Sequence, residues 1–155
     1  MKTLTNAQEQ KLKTFGLTVK DIVQIEKSTG WCYAQHTAGG DIRFLVQKVI
    51  GKYEFVIWLH SSPESSIAIG VWADHDKRKI QEQFHKKLGA WCPNGMTSDG
   101  YANKGRNPER GHVGDWRAQI VARDFLKNLN VIRRMVGDIE KKLKETGLYD
   151  VLNNL

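Results

Sequence analysis

The chain has 155 residues, of which 40% are apolar and 26% charged, and 24 Lys and Arg against 17 Asp and Glu give a formal net charge of +7. These proportions exclude collagen, a wholly disordered chain and a disulfide scaffold. The length suits one domain over residues 1–155, with a core that needs no metal or disulfide staple.

No apolar run approaches the ~18–20 residues of a membrane helix. The opening MKTLTNAQEQKLK lacks the apolar stretch of a secretory signal. Two cysteines, Cys32 and Cys92, are too few for a secreted framework, so a reducing, cytoplasmic setting is expected. Each follows a tryptophan, which reads as a small buried thiol beside a core aromatic. A redox pair would need the two Cα atoms within about 7 Å.

In chain order, Thr5 and Gln8 have the spacing of a capping box, followed by a short helix to Phe15 that Gly16 ends. Thr18 and Asp21 offer a second cap, with Ile22, Val23 and Ile25 as the apolar side and Gly30 as the stop. Four strand-like runs follow at 31–36, 42–50, 53–60 and 67–73, rich in β-branched and aromatic residues. Their short connections, including Gly51-Lys52 as a type II′ turn, make neighbours antiparallel. The third run is apolar on both faces, with Tyr53, Phe55, Ile57 and Leu59 on one and Val56 and Trp58 on the other, so a central position is expected. Asp74 or Asp76 would cap the next helix, whose buried stripe is Ile80, Phe84 and Leu88 and whose stop is Gly89. A long last helix is expected from Asp115, as N-cap, to Thr146, with a tail helix near 148–152. The expected fold is therefore α+β. It has two short N-terminal helices, a four-stranded antiparallel meander, a middle helix, and a long C-terminal helix packed on the sheet.

The positive charge is uneven. Residues 1–74 hold eight Lys or Arg and seven Asp or Glu, whereas residues 75–146 hold sixteen and nine. On a continuous helix, Arg123, Lys127, Arg134 and Lys141 fall within about 40° of one line, opposite an apolar stripe of Val121, Phe125, Leu129, Ile132, Val136, Ile139 and Leu143. No Asp or Glu shares that basic stripe.

Residues 90–114 show no period and form a long glycine-rich basic loop. It has five glycines and carries Lys104, Arg106, Arg110 and His112. Glycines let backbone amides approach a ligand, and Tyr101 and Trp116 offer rings on which a base stacks. Asp115 and Arg117 follow directly. There is no Walker A pattern, and Lys104-Gly105-Arg106 does not replace one.

Of five histidines, His36 and His60 end the first and third strand runs. In a meander those ends share one edge, where two imidazoles would form an acid/base pair for phosphodiester cleavage. His60-Ser61-Ser62 is an H-x-S triplet of the kind two-histidine phosphoesterases use, but His36 has no matching triplet. Cys32, His36, His60 and Cys92 lack any zinc spacing, so neither a metal nor another cofactor is expected. A Ser or Cys hydrolase would need a nucleophile elbow, which is absent.

The leading expectation is a nucleic-acid-binding protein, of DNA or RNA, in which Lys104, Arg106, Arg110, Arg117, Arg123, Lys127, Arg134 and Lys141 neutralise phosphate and Tyr101 and Trp116 stack. The first alternative is a phosphate-ester hydrolase, a nuclease or cyclic-nucleotide hydrolase, with His60, His36 and His112 as acid/base groups. The second is an interaction module or inhibitor that docks its basic face on an acidic protein. No membrane partner is expected, and the oligomeric state is open.

Overall fold

The structure is a computed structural model that describes residues 3–35, 42–49, 53–59, 62–73, 78–98 and 111–154. Its first two elements follow their local signals. Helix α1 (Asn6–Thr14) begins with a reciprocal box: Gln8 N donates to Thr5 Oγ1 at 3.2 Å and Thr5 N to Gln8 Oε1 at 2.9 Å. Helix α2 (Val19–Thr29) repeats the device with Thr18 and Asp21, and Gly30 closes it in the left-handed region at φ +77°.

Strands β1 (Cys32–Gln35), β2 (Ile42–Val49), β3 (Tyr53–Leu59) and β4 (Ser66–Ala73) form the expected antiparallel meander. The sheet does not stop there. After helix α3 (Arg78–Leu88), strands β5 (Met96–Ser98) and β6 (Gly111–Val121) add to the far edge, giving six strands in the order β1-β2-β3-β4-β6-β5. Every neighbouring pair is antiparallel. Two 3-10 turns (Ala122–Asp124 and Leu126–Asn128) then lead to α4 (Leu129–Glu145) and α5 (Leu148–Asn153).

Three expectations are corrected here. The sheet has six strands, not four. The last helix begins at Leu129, not at Asp115. Asp115 lies within β6, 5% exposed, and caps nothing. The reason is that Trp116, Ala118 and Ile120 recur at i, i+2 and i+4, the period of a strand. A bulge where Val71/Gly114 gives way to Trp72/His112 interrupts that alternation, so it reads poorly in the sequence. Arg123 and Lys127 lie in the 3-10 turns, where a residue advances about 120° rather than 100°. The four-residue basic stripe is therefore not one helical face.

The described helices pack on one face of the sheet. Leu12, Ile22, Phe84, Ile132, Ile139, Leu143 and Leu152 from the helices meet Phe44, Phe55, Ile57, Ile69 and Trp116 from the strands, all essentially buried. The expected stripe Ile80, Phe84 and Leu88 faces this core, and so does most of the apolar stripe of α4. On the opposite face a second cluster of Val56, Trp58 and Ala68, with Leu45 and Trp72 against it, is built from strand residues alone. The central position of β3, between β2 and β4, accounts for its two apolar faces. A Cβ on Gly70 would lie 2.4 Å from the Gly114 carbonyl oxygen and 3.3 Å from the Trp58 indole, so only glycine lets β4 and β6 close beneath that ring.

Cys32 is exposed rather than buried, and it sits on β1 at one edge of the sheet. Cys92 donates to Met96 O of β5, at the other edge. Five strand spacings separate those edges, on the order of 20 Å, which excludes a bond between the two thiols. No described helix is long and apolar enough to cross a membrane.

Candidate nucleic-acid interface

Residues 91–94, just beyond α3, and the outer side of α4 build an open groove of about 260 Å³. One wall is Trp91, Cys92, Pro93 and Asn94, and the other is Asp138, Lys141, Lys142 and Glu145. The first wall is shaped by local backbone chemistry. Gly89 turns the chain out of α3 at φ +56°, and Trp91 N donates back to Leu88 O at 3.0 Å. Met96 N then donates to Pro93 O at 3.1 Å and Cys92 Sγ to Met96 O at 3.2 Å, closing a tight turn.

Trp91 is half-buried and held from behind. Its ring meets the fully buried Trp116 edge to face, with centroids 6.2 Å apart at 79°. The Lys142 ammonium lies over the Trp91 ring, 5.4 Å from its centroid. The second wall is tied to the first by Arg134, whose Nη2 donates to Asn94 O at 3.1 Å while Nη1 pairs with Asp138 at 3.0 Å. Lys141 lies 3.8 Å from Glu145 one turn along. Such exposed pairs contribute about 0–1 kcal/mol each, so these side chains are not locked in place.

A basic end adjoins the groove. Lys86 and Lys87 lie in the last turn of α3, and Lys142 and Lys144 in the last turn of α4. Lys87 Nζ donates to Thr146 O at 2.9 Å, which brings the two helix ends together. Cations there complement the helix dipoles by about 0.3–1 kcal/mol each. That accounts for lysine at these positions in terms of stability. It also gathers exposed ammonium groups at one end of the molecule.

The sequence-predicted residues are distributed as follows. Arg134 and Lys141 border the groove. Arg123 is paired with Glu64, and Lys127 is exposed on the second 3-10 turn. Arg117 lies on the helix-free sheet face, its Nε 3.5 Å from Asp115 Oδ2. Trp116 is 0% exposed, so it stacks on no ligand; it instead backs Trp91. Tyr101, Lys104, Arg106, Arg110, His36 and His60 lie outside the described residues.

The strand ends that precede His36 and His60, Gln35 and Leu59, both pair with Ile42 at one end of the sheet. His112 pairs with Trp72, whose partner on β3 is Glu54. Glu54 and Leu59 are five residues apart on one strand, about 16 Å, so His112 belongs to the opposite end of the sheet from those strand ends. Among the described residues no group of three His, Cys, Asp or Glu is placed to hold a metal.

Sequence reasoning gave no binding role to Trp91 or Lys87, and placed Lys142 only on the flank of the basic stripe. The available signal was a tryptophan two residues beyond a helix-stopping glycine, followed by Cys-Pro-Asn-Gly, which is turn chemistry rather than core. Comparison of the chain with protein families, with characterised proteins and with solved structures finds no match.

Proposed function

We propose that the protein binds nucleic acid through the groove between α4 and residues 91–94 and through the lysines at the ends of α3 and α4. The observation that carries this reading is the set of exposed Lys86, Lys87, Lys141 and Lys144 with half-buried Lys142, beside a groove with a half-buried tryptophan in its wall. Exposed ammonium groups supply phosphate attraction without sequence preference. An aromatic ring in the same groove supplies a contact that phosphate alone does not use. Among the described residues, Arg134 and Lys141 are the members of the expected basic set that border this place.

Binding of a labelled oligonucleotide followed by fluorescence anisotropy tests the assignment. Lys142→Glu with Lys144→Glu is expected to weaken affinity by tenfold or more at low salt. Arg123→Ala, on the 3-10 turn that precedes the opposite end of α4 from these lysines, is expected to leave it within about twofold. Equal effects of the two changes would move the interface elsewhere.

A further inference from the structure

We propose that the groove selects an unpaired strand, one base of which takes the face of Trp91 that Lys142 covers in the free protein. This deepens the nucleic-acid reading and rests on it. Three observations lead to it.

Trp91 is pre-positioned. Its backbone is tied to Leu88 O, its ring meets a fully buried Trp116 in a T-shaped contact, and the following turn is closed by two further hydrogen bonds. A ring held in this way loses little freedom when a ligand stacks on it.

The cover is exchangeable. An ammonium over an indole at a half-exposed site is a weak contact, and lysine has a long, flexible stem. Displaced from the ring, the Lys142 ammonium stays beside the groove, where the phosphate of the stacked nucleotide would lie. The same residue thus gives up a ring face and gains an anion.

The carboxylates of the groove do not oppose this. Asp138 is paired with Arg134 at 3.0 Å, and Glu145 lies beside Lys141 at 3.8 Å. A groove of about 260 Å³ has room for a base against Trp91. Bases inside a duplex present no free face to a protein ring, so a duplex would engage the lysines and leave Trp91 unused.

The test compares a labelled oligothymidylate with the same strand annealed to its complement. The single strand is expected to bind at least tenfold more tightly. Trp91→Ala is expected to weaken the single strand by roughly 5- to 100-fold, the usual range for losing one stacked base, while the duplex and the salt dependence barely change. Because Trp91 touches Trp116, a second measurement uses the unaltered protein: a strand carrying 5-iodouracil is irradiated and the cross-linked peptide sequenced. Cross-linking at Trp91 supports the proposal, and cross-linking confined to other residues overturns it. Equal affinity for both forms, with no effect of Trp91→Ala, overturns base capture but leaves nucleic-acid binding standing. Failure of both forms to bind at low salt overturns the underlying reading and this proposal with it.

Discussion

Two regions of this molecule carry charge in opposite ways. On the helix-free face of the sheet, Arg43, Trp58, Ala68 and Arg117 form one cross-strand row and Leu45, Val56, Gly70 and Asp115 the next. Arg43 reaches past that second row to Glu54 at 3.5 Å, and Arg117 lies 3.5 Å from Asp115. Arginine and carboxylate are matched there, and most of each side chain is buried. At the ends of α3 and α4 the cations are lysines, exposed apart from half-buried Lys142 and gathered by the meeting of two helix termini. A buried charge needs a partner, whereas an exposed one is solvated and stays available. The net +7 of the chain is thus a poor guide to where a partner binds. Charges consumed by internal pairing must first be set aside.

This contrast is sharpened by substitutions on each side of it. The largest effect is expected at Gly70, between the two paired rows. Gly70→Ala places a methyl 2.4 Å from the Gly114 carbonyl oxygen, so β4 and β6 must separate. A loss of about 3 kcal/mol is expected in chemical denaturation, in the range of severe overpacking. Asp115→Ala comes next. It removes the buried carboxylate 3.5 Å from the Arg117 guanidinium, at an expected cost of about 2 kcal/mol, below the range for fully buried pairs because Arg117 is 30% exposed.

The helix-covered face gives a smaller, pH-dependent effect. Burial pushes the Tyr53 hydroxyl above its ordinary value of 10.0. Below pH 10 both folded and unfolded chains keep that proton. Above it the unfolded chain loses the proton first, so the folded state holds more protons and stability falls as pH rises. The fall is at most about 1.4 kcal/mol per pH unit for one such group. Tyr53→Phe is expected to flatten the stability profile above pH 10, and an unchanged profile would remove this account. The smallest stability effect is expected at the lysines. Lys142→Glu should cost about 1 kcal/mol, the scale of a helix-dipole contribution and a half-exposed ring contact. A large loss there would mean that the helix ends, like the sheet face, use their charge to hold the fold together.

The same contrast separates what was legible in the sequence from what was not. The capping boxes at Thr5 and Thr18, the four meander strands and the stripe of α3 are all written in residues a few positions apart. Strand β6 was not legible, because a bulge breaks its alternation and the apolar spacing from Val121 to Leu143 continues smoothly into α4. Reading it as helix carried Arg123 and Lys127 onto a face they do not share with Arg134 and Lys141. The groove depends on contacts that no local pattern encodes. Lys87 reaches Thr146 across 59 positions, and Arg134 reaches Asn94 across 40. Trp116 drew attention as a stacking ring, yet its place in a strand buries it and leaves that part to Trp91.

The central claim is that the exposed lysines at the ends of α3 and α4 meet phosphate. The most direct measurement is the affinity for a labelled single strand across a salt series, with the strand then run on a gel. If about four phosphates are neutralised, affinity should fall about 50-fold between 50 and 200 mM salt, linearly on a log–log plot, and the strand should remain intact. Affinity independent of salt, or no binding at low salt, would contradict the claim. A cleaved strand would give first place to a phosphate-ester hydrolase.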